Sequence, residues 1–301
     1  MTVHVVGNVC VDSSFHLARL PQPGETLNAD GVEEGLGGKG ANQAIAAARA
    51  GASVTLWAAV GHDTAADRMQ ALLTAELAGA RLSRFDLPSD RSVILVDGAG
   101  ENVIVTAAAC AASFRPLAEG VLPRTWKSGD SLLMQGNLSV DETAACLRHA
   151  QAAGLFTILN PSPLPPGGLD MASVSLLIAN RLEAEALTGE RDPAAAVNRL
   201  RAMGAGQVVI TLGGEGAVLH DGRESFAIPA AKVDVVDTSG AGDCFAGTLA
   251  GLLHRGMPIV AAARLATLAA ALSVGRAGTL SAFPTRVELS ALASSPTLDI
   301  A

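Results

Sequence analysis

The sequence predicts an α/β fold, a doubly wound and mostly parallel sheet sandwiched by helices, with a small β-sheet beside it. Three observations carry this expectation. Short apolar runs alternate with amphipathic stretches along the chain, the pattern of strands and covering helices. Several runs end at Gly, Asn or Pro, where a buried strand gives way to a loop. Two segments break the alternation and read as extra strands outside the main sheet.

In chain order, buried strands are expected at Val3–Val9, Ser53–Ala58, Ser131–Gln135, Phe156–Asn160, Ser175–Ala179 and Gln207–Leu212. Helical patterns lie between them at Lys39–Ala50, Thr64–Leu77, Asp141–Ala152, Glu183–Leu187 and Pro193–Met203. The first exception is residues 12–36, where Pro21, Pro23 and Gly24 separate short apolar pieces. The second is residues 92–106, a hairpin with Ser92–Val96 and Asn102–Thr106 flanking Asp97-Gly98-Ala99-Gly100. Paired, these segments form a candidate lid; an inserted ornament or an oligomer contact is the alternative. Phe245, Leu249, Leu252 and Leu253 mark one face of a later helix, which ends at His254-Arg255-Gly256. Ile259 to Val274 is apolar but Ala-rich and interrupted by Arg264, a buried helix rather than a membrane span. From about Leu289 a surface tail is expected. Residues 1–301 are read as one domain, without a long linker or internal repeat.

Composition narrows the function. The 21 Lys and Arg against 29 Asp and Glu leave a net charge of −8, which argues against a nucleic-acid partner. Seven Phe, two Trp and no Tyr leave little for aromatic stacking. The 32 glycines follow no repeat, so they belong at special backbone positions. The N-terminus has no basic and apolar leader, and Cys10, Cys110, Cys146 and Cys244 form no C-x-x-C. A cytoplasmic protein without a membrane partner is expected.

Two glycine-rich loops carry the chemistry. Gly35, Gly37 and Gly40 fit G-x-G-x-x-G, but a Pro-containing insertion separates them from the first strand, which weakens a dinucleotide reading. Lys39 adds a cation and Asn42 follows one turn later, so Gly37, Gly38, Lys39 and Asn42 suit a polyhydroxylated or anionic ligand. A plain turn and helix start is the alternative. Gly240-Ala241-Gly242 opens the later helix, and its free N–H groups form an anion site. Asp243 stands in the first turn, either as a favourable helix-end charge or as a base beside the anion site. Asn180 and Glu183 can orient a hydrated Mg²⁺ at phosphates, although by themselves they read strongly as a capping box. Thr211-Leu212-Gly213-Gly214 ends another strand in the same manner.

The sequence Gly37-Gly38-Lys39-Gly40-Ala41-Asn42-Gln43-Ala44, then Asn180-x-x-Glu183, Thr211-Leu212-Gly213 and Asp237-Thr238-Ser239-Gly240-Ala241-Gly242-Asp243, resembles the PfkB carbohydrate kinases and their ribokinase-like members. The resemblance runs from Gly7 to about Pro284. It implies ATP-dependent phosphorylation of a sugar hydroxymethyl, with Asp243 as base and Gly240, Ala241 and Gly242 as anion hole. Asp12, Gly38, Lys39 and Asn42 would bind the sugar. Asn180, Thr211, Gly213 and Gly242 would serve the nucleotide, and Asn180 with Glu183 would serve Mg²⁺ through water. A monovalent cation such as K⁺ would use Asp237, the Ser239 carbonyl and the loop Arg276–Ser281. The small sheet would be a lid and the contact of a homodimer.

Two sugar-site positions depart from the ribokinase pattern. Cys10 stands where an Asn is expected, and Asn137 where a Glu is expected. Both change hydrogen-bonding capacity at the sugar, which points away from D-ribose and toward a deoxy sugar or another small sugar with a free primary hydroxyl. Competing readings are a catalytically silent sugar- or nucleotide-binding protein on this fold and an NAD-dependent dehydrogenase.

Overall fold

A computed structural model describes residues 1–98, 102–118, 121–165, 167 and 169–294. Its elements in chain order begin with β1 (Val3–Val6), β2 (Cys10–His16), β3 (Gly31–Gly37), α1 (Lys39–Arg49), β4 (Val54–Gly61), α2 (Thr64–Glu76) and β5 (Gly79–Phe85). Then come β6 (Arg91–Val96), β7 (Asn102–Ala107), α3 (Ala109–Ser113), α4 (Val121–Thr125), β8 (Ser131–Gln135), α5 (Val140–Ala152) and β9 (Phe156–Asn160). The chain continues through β10 (Leu176–Asn180), α6 (Arg181–Thr188), α7 (Pro193–Ala202), β11 (Gln207–Thr211), β12 (Ala217–His220) and β13 (Ser225–Ile228). It closes with α8 (Ala241–His254), α9 (Ile259–Val274) and α10 (Arg286–Ala293).

The main sheet has nine strands in the order β13-β12-β11-β10-β9-β8-β1-β4-β5. From β11 to β5 every pairing is parallel; the β12–β13 hairpin adds an antiparallel edge. Alternate side chains of a strand feed two separate cores, as a sheet covered on both faces requires. In β4, Val54, Leu56, Ala58 and Val60 join one core with α1, α2, α8 and α9, while Trp57 and Ala59 join the other with α5, α6 and α7. The small sheet has the order β3-β2-β6-β7, with β2 and β6 parallel and the outer pairs antiparallel. The expected pairing of the 12–36 segment with the hairpin is therefore present. Ala99 and Gly100 of the hairpin turn lie outside the described residues.

Three expectations change. The first strand stops at Val6 instead of Val9, because Asn8 leaves the ladder to hold the start of α1. Its carbonyl accepts from Ala41 N at 3.0 Å and its Oδ1 from Gly40 N at 3.1 Å. Leu289 is buried and belongs to α10, whose capping box joins Thr285 and Glu288; only residues beyond 294 of the expected tail lie outside the described ones. The strands β5, β12 and β13 were not expected. Each is short or broken by charged and polar residues at an edge, where periodicity is weak. The expected buried helix at Ile259–Val274 is present as α9, and among the described residues no helix is long and apolar enough to cross a membrane.

Helices α1 and α8 meet closely. Gly247 faces the Gln43 carbonyl, where a Cβ would clash, and a Cβ on Gly251 would stand 2.6 Å from the Ala47 carbonyl. Small residues thus bring the two helices that begin at the glycine-rich loops into near backbone contact.

Candidate active site

Both helices start at the C-terminal edge of the main sheet, where doubly wound folds bind ligands. At α8, Gly240 takes a left-handed conformation (φ 75°), and a Cβ there would strike the Thr279 methyl. That turn exposes amides to the ligand side. Among the described residues no acceptor takes the N–H of Gly240 or Gly242, whereas Ala241 N donates to the Thr238 carbonyl at 3.3 Å. Two of the three expected anion-hole amides are therefore open, and the third has an internal partner.

Asp243 is 5% exposed, in the first turn of α8. Its Oδ2 accepts from Asn42 Nδ2 at 3.0 Å and its Oδ1 from Gln43 Nε2 at 2.8 Å. Lys39 Nζ stands 3.9 Å from Oδ1. The two glycine-rich loops are thus one site: residues 39–43 hold the carboxylate that residues 240–243 present.

Asp12 sits on β2 with its carboxylate against the Cα of Gly37, where a side chain would clash. Cys10 Sγ donates to Asp12 Oδ1 at 3.1 Å and lies 3.5 Å from Ser92 Oγ. Burial pushes the Asp12 carboxyl above its ordinary value and the Asp243 charge adds to this, against hydrogen bonds from Cys10 and Ser92. Burial, helped by Asp12, likewise drives the Cys10 thiol well up, so it is a neutral donor. The Oδ1 atoms of Asn42 and Asn137 are buried without a partner, each an acceptor that a ligand hydroxyl would satisfy.

Beside α8 a cavity of about 420 Å³ is lined by Thr211, Gly213, Val235, Ala241, Gly242, Ala271 and Val274, among others. Its apolar wall and the open Gly242 amide suit a nucleotide, with the base on the apolar side and phosphates at the helix start. Asn180 ends β10 beside Thr211 of β11. It forms a full capping box with Glu183: Asn180 Oδ1 accepts from Glu183 N at 2.8 Å, and Glu183 Oε2 from Asn180 N at 2.9 Å. Among the described residues no cluster of three His, Cys, Asp or Glu is placed to hold a metal. Asp237 ties two loops, its Oδ1 accepting from Ser239 N at 2.8 Å and its Oδ2 from Gly278 N at 3.0 Å.

Sequence reasoning missed Asn8, Gln135 and Asn160, and gave Gln43 no role. Gln135 and Asn160 are polar residues that end mostly apolar strands, buried throughout in β8 and all but Phe156 in β9. That position was the available signal, since such a residue must find a partner at the ligand edge. Gly35 and Gly37 lie within β3 of the small sheet and Gly40 in the first turn of α1, so the glycines do not follow the first strand of the main sheet, which is not the dinucleotide arrangement.

The chain is similar over almost its whole length to known carbohydrate kinases. The pfkB family carbohydrate kinase model matches residues 2–286. A ribokinase of Haemophilus influenzae is 30% identical over 297 residues, covering 95% of this chain and 96% of that protein. A deoxyribokinase of Salmonella typhi is 29% identical over 298 residues, covering 94% and 96%. The structure of Thermotoga maritima ribokinase superposes with a TM-score of 0.88 at 29% identity, over 98% of this chain and 99% of that one. Arabidopsis thaliana ribokinase, solved with ribose and ATP, gives 0.84 at 25% identity, over 97% and 98%. The chain belongs to the pfkB family of carbohydrate kinases.

Proposed function

We propose that this kinase transfers the γ-phosphoryl group of ATP to the primary hydroxyl of a small sugar, a pentose or deoxypentose. One observation carries the reading: a buried carboxylate, Asp243, stands at the open helix start that suits the phosphates and is held by residues of the sugar-side loop. Asp243 takes the proton of the hydroxymethyl group as its oxygen bonds to the γ-phosphorus and the bond to ADP breaks. The amides of Gly240 and Gly242 stabilise the transferring group, and Lys39 adds positive charge at its edge. A silent binding protein would have no use for a carboxylate held in this way.

Asp12, Asn42 and Asn137 bind the sugar, with Gly37 and Gly38 allowing close approach. The Cys10 thiol occupies one oxygen of Asp12, so fewer acceptors remain for vicinal hydroxyls than an unoccupied carboxylate offers. This supports a deoxy sugar over ribose.

Asn180 and Glu183 fit a role through water toward Mg²⁺ on the phosphates, since their capping atoms are engaged but the Asn180 amide NH₂ is not. Mg²⁺ held there would neutralise charge on the phosphates. Asp237 and the Ser239 carbonyl fit a monovalent cation, because each Asp237 oxygen keeps a lone pair beyond its single hydrogen bond. The small sheet acts as a lid and dimer contact. What supports this is an exposed apolar face: Val32, Val93, Val103 and Val105 fall on one side by register and are 36–68% exposed. Four unpaired, buried cysteines support a reducing cytoplasm.

The test is ADP release with Mg–ATP over pentoses, deoxypentoses, hexoses and nucleosides, with and without K⁺. Turnover highest on a pentose or deoxypentose supports the reading. Tight sugar binding without turnover on any of them would return the silent-protein reading.

A further inference from the structure

Gln43 lies on α1 next to Asn42 and is fully buried. Every polar atom of its amide is engaged. Nε2 donates to Asp243 Oδ1 at 2.8 Å and to Asn160 Oδ1 at 2.9 Å, and Oε1 accepts from Gln135 Nε2 at 2.9 Å. Asn160 is fixed in turn, its Nδ2 donating to the Ile178 carbonyl at 2.9 Å. The chain of donors has one direction. Turning the Gln43 amide over would set Oε1 against two acceptor oxygens, Asp243 Oδ1 and Asn160 Oδ1. Five elements, β10, β9, β8, α1 and α8, are thus joined in one network that reaches the Asp243 carboxylate through Gln43.

We propose that Gln43 is a positioning residue, which holds the Asp243 carboxylate in the orientation needed to take the sugar proton. The proposal rests on Asp243 acting as the base. Gln43 sits behind that carboxylate in a network tied to Asn160 and Gln135 on two central strands. Among the described residues, Gln135 Oε1 is the one atom of these three amides left without a partner; Gln43 and Asn160 are fully engaged, and a buried pair tied in this way is stiff. A carboxylate without it keeps its charge and its Asn42 contact but gains rotational freedom about its side-chain bonds. Misplacement of a reacting group by about 1 Å costs on the order of 10²-fold in rate. The near backbone contact of α1 with α8 at Gly247 sets the spacing at which Gln43 reaches.

Gln43→Met keeps length and volume and removes the amide. Its kcat should fall about 10- to 100-fold, while sugar KM and nucleotide affinity stay within about threefold. The decisive measurement repeats the substitution in Asp243→Asn, where it should change single-turnover rate by less than about twofold, since the group it positions is gone. Gln43→Glu gives a second reading with the same shape and a carboxylate oxygen in place of the donor. It should lose at least as much kcat, and it carries the same test if the Met variant does not fold. Wild-type kcat in either variant overturns the proposal. So does an equal loss in both Asp243 backgrounds, which would mean packing alone. Near wild-type turnover by Asp243→Asn is a different failure: it removes the base itself.

Discussion

The Cys10 thiol donates to Asp12 Oδ1 at 3.1 Å, so one oxygen of the candidate sugar-binding carboxylate already has a protein partner. Cys10→Asn supplies a stronger and two-sided hydrogen-bonding group at the same place. The expected outcome is a rise of about tenfold or more in the ratio of kcat/KM for ribose over 2-deoxyribose. An unchanged ratio in parallel assays on the two sugars would clear Cys10 of any part in specificity.

Asp243→Asn keeps the shape at the start of α8 and removes the proposed base. Turnover should fall by about 10²–10⁴ or more, with nucleotide binding retained in a thermal-shift titration. Gln43 still donates to the remaining amide oxygen, and Asn42 can turn its unpartnered Oδ1 toward the new NH₂, so gross misfolding is not expected.

Gly247→Ala places a methyl group against the Gln43 carbonyl and within 2.7 Å of the Ala46 Cβ. Relief requires α1 and α8 to separate. The variant should lose about 1–3 kcal/mol in denaturant unfolding. Its kcat should fall more than its sugar KM rises, because the shift widens the gap between Gln43 and Asp243.

Asp237→Ala removes the carboxylate that ties the 237–239 turn to Gly278. Turnover in K⁺ should drop to the level seen without it, and added K⁺ should no longer raise the rate. Activation by K⁺ that survives in this variant would move the cation site elsewhere.

The Arg276 guanidinium beside Glu288, with the Thr285 amide, holds the Glu288 carboxyl down at about 2 from an ordinary value of 4.5. Between those values the unfolded chain binds more protons, so this contribution is complete above pH 4.5 and is lost as pH falls through about 2. Both partners are more than a third exposed, which limits the pair to under about 1 kcal/mol. Unfolding of Glu288→Gln and wild type should differ by that amount near neutral pH and converge in acid.

Much of the fold was readable in the chain. Central strands such as Phe156–Asn160 and Gln207–Thr211 are buried and mostly apolar through their middles, because both their faces are covered, and such stretches stand out. Edge strands β5 and β13, and β12 beside the latter, carry charge or are very short, and the periodicity does not mark them. The glycine-rich loops were also readable, since glycine, Lys39 and Asp243 announce their chemistry by type and spacing.

What the sequence by itself determined was the set of reactive groups: the open helix start at Gly240–Gly242, the acid at Asp243, and the polar loop at Lys39–Asn42. Tertiary structure alone decided how they face one another. Asn42 and Asp243 are 201 positions apart, and no local pattern encodes their 3.0 Å contact. Packing of α1 on α8 makes it, and the ends of β8, β9 and β10 supply Gln135, Asn160 and the Ile178 carbonyl behind it. A buried polar side chain must be satisfied by whatever the fold brings beside it, and that neighbour is set by topology rather than by sequence distance.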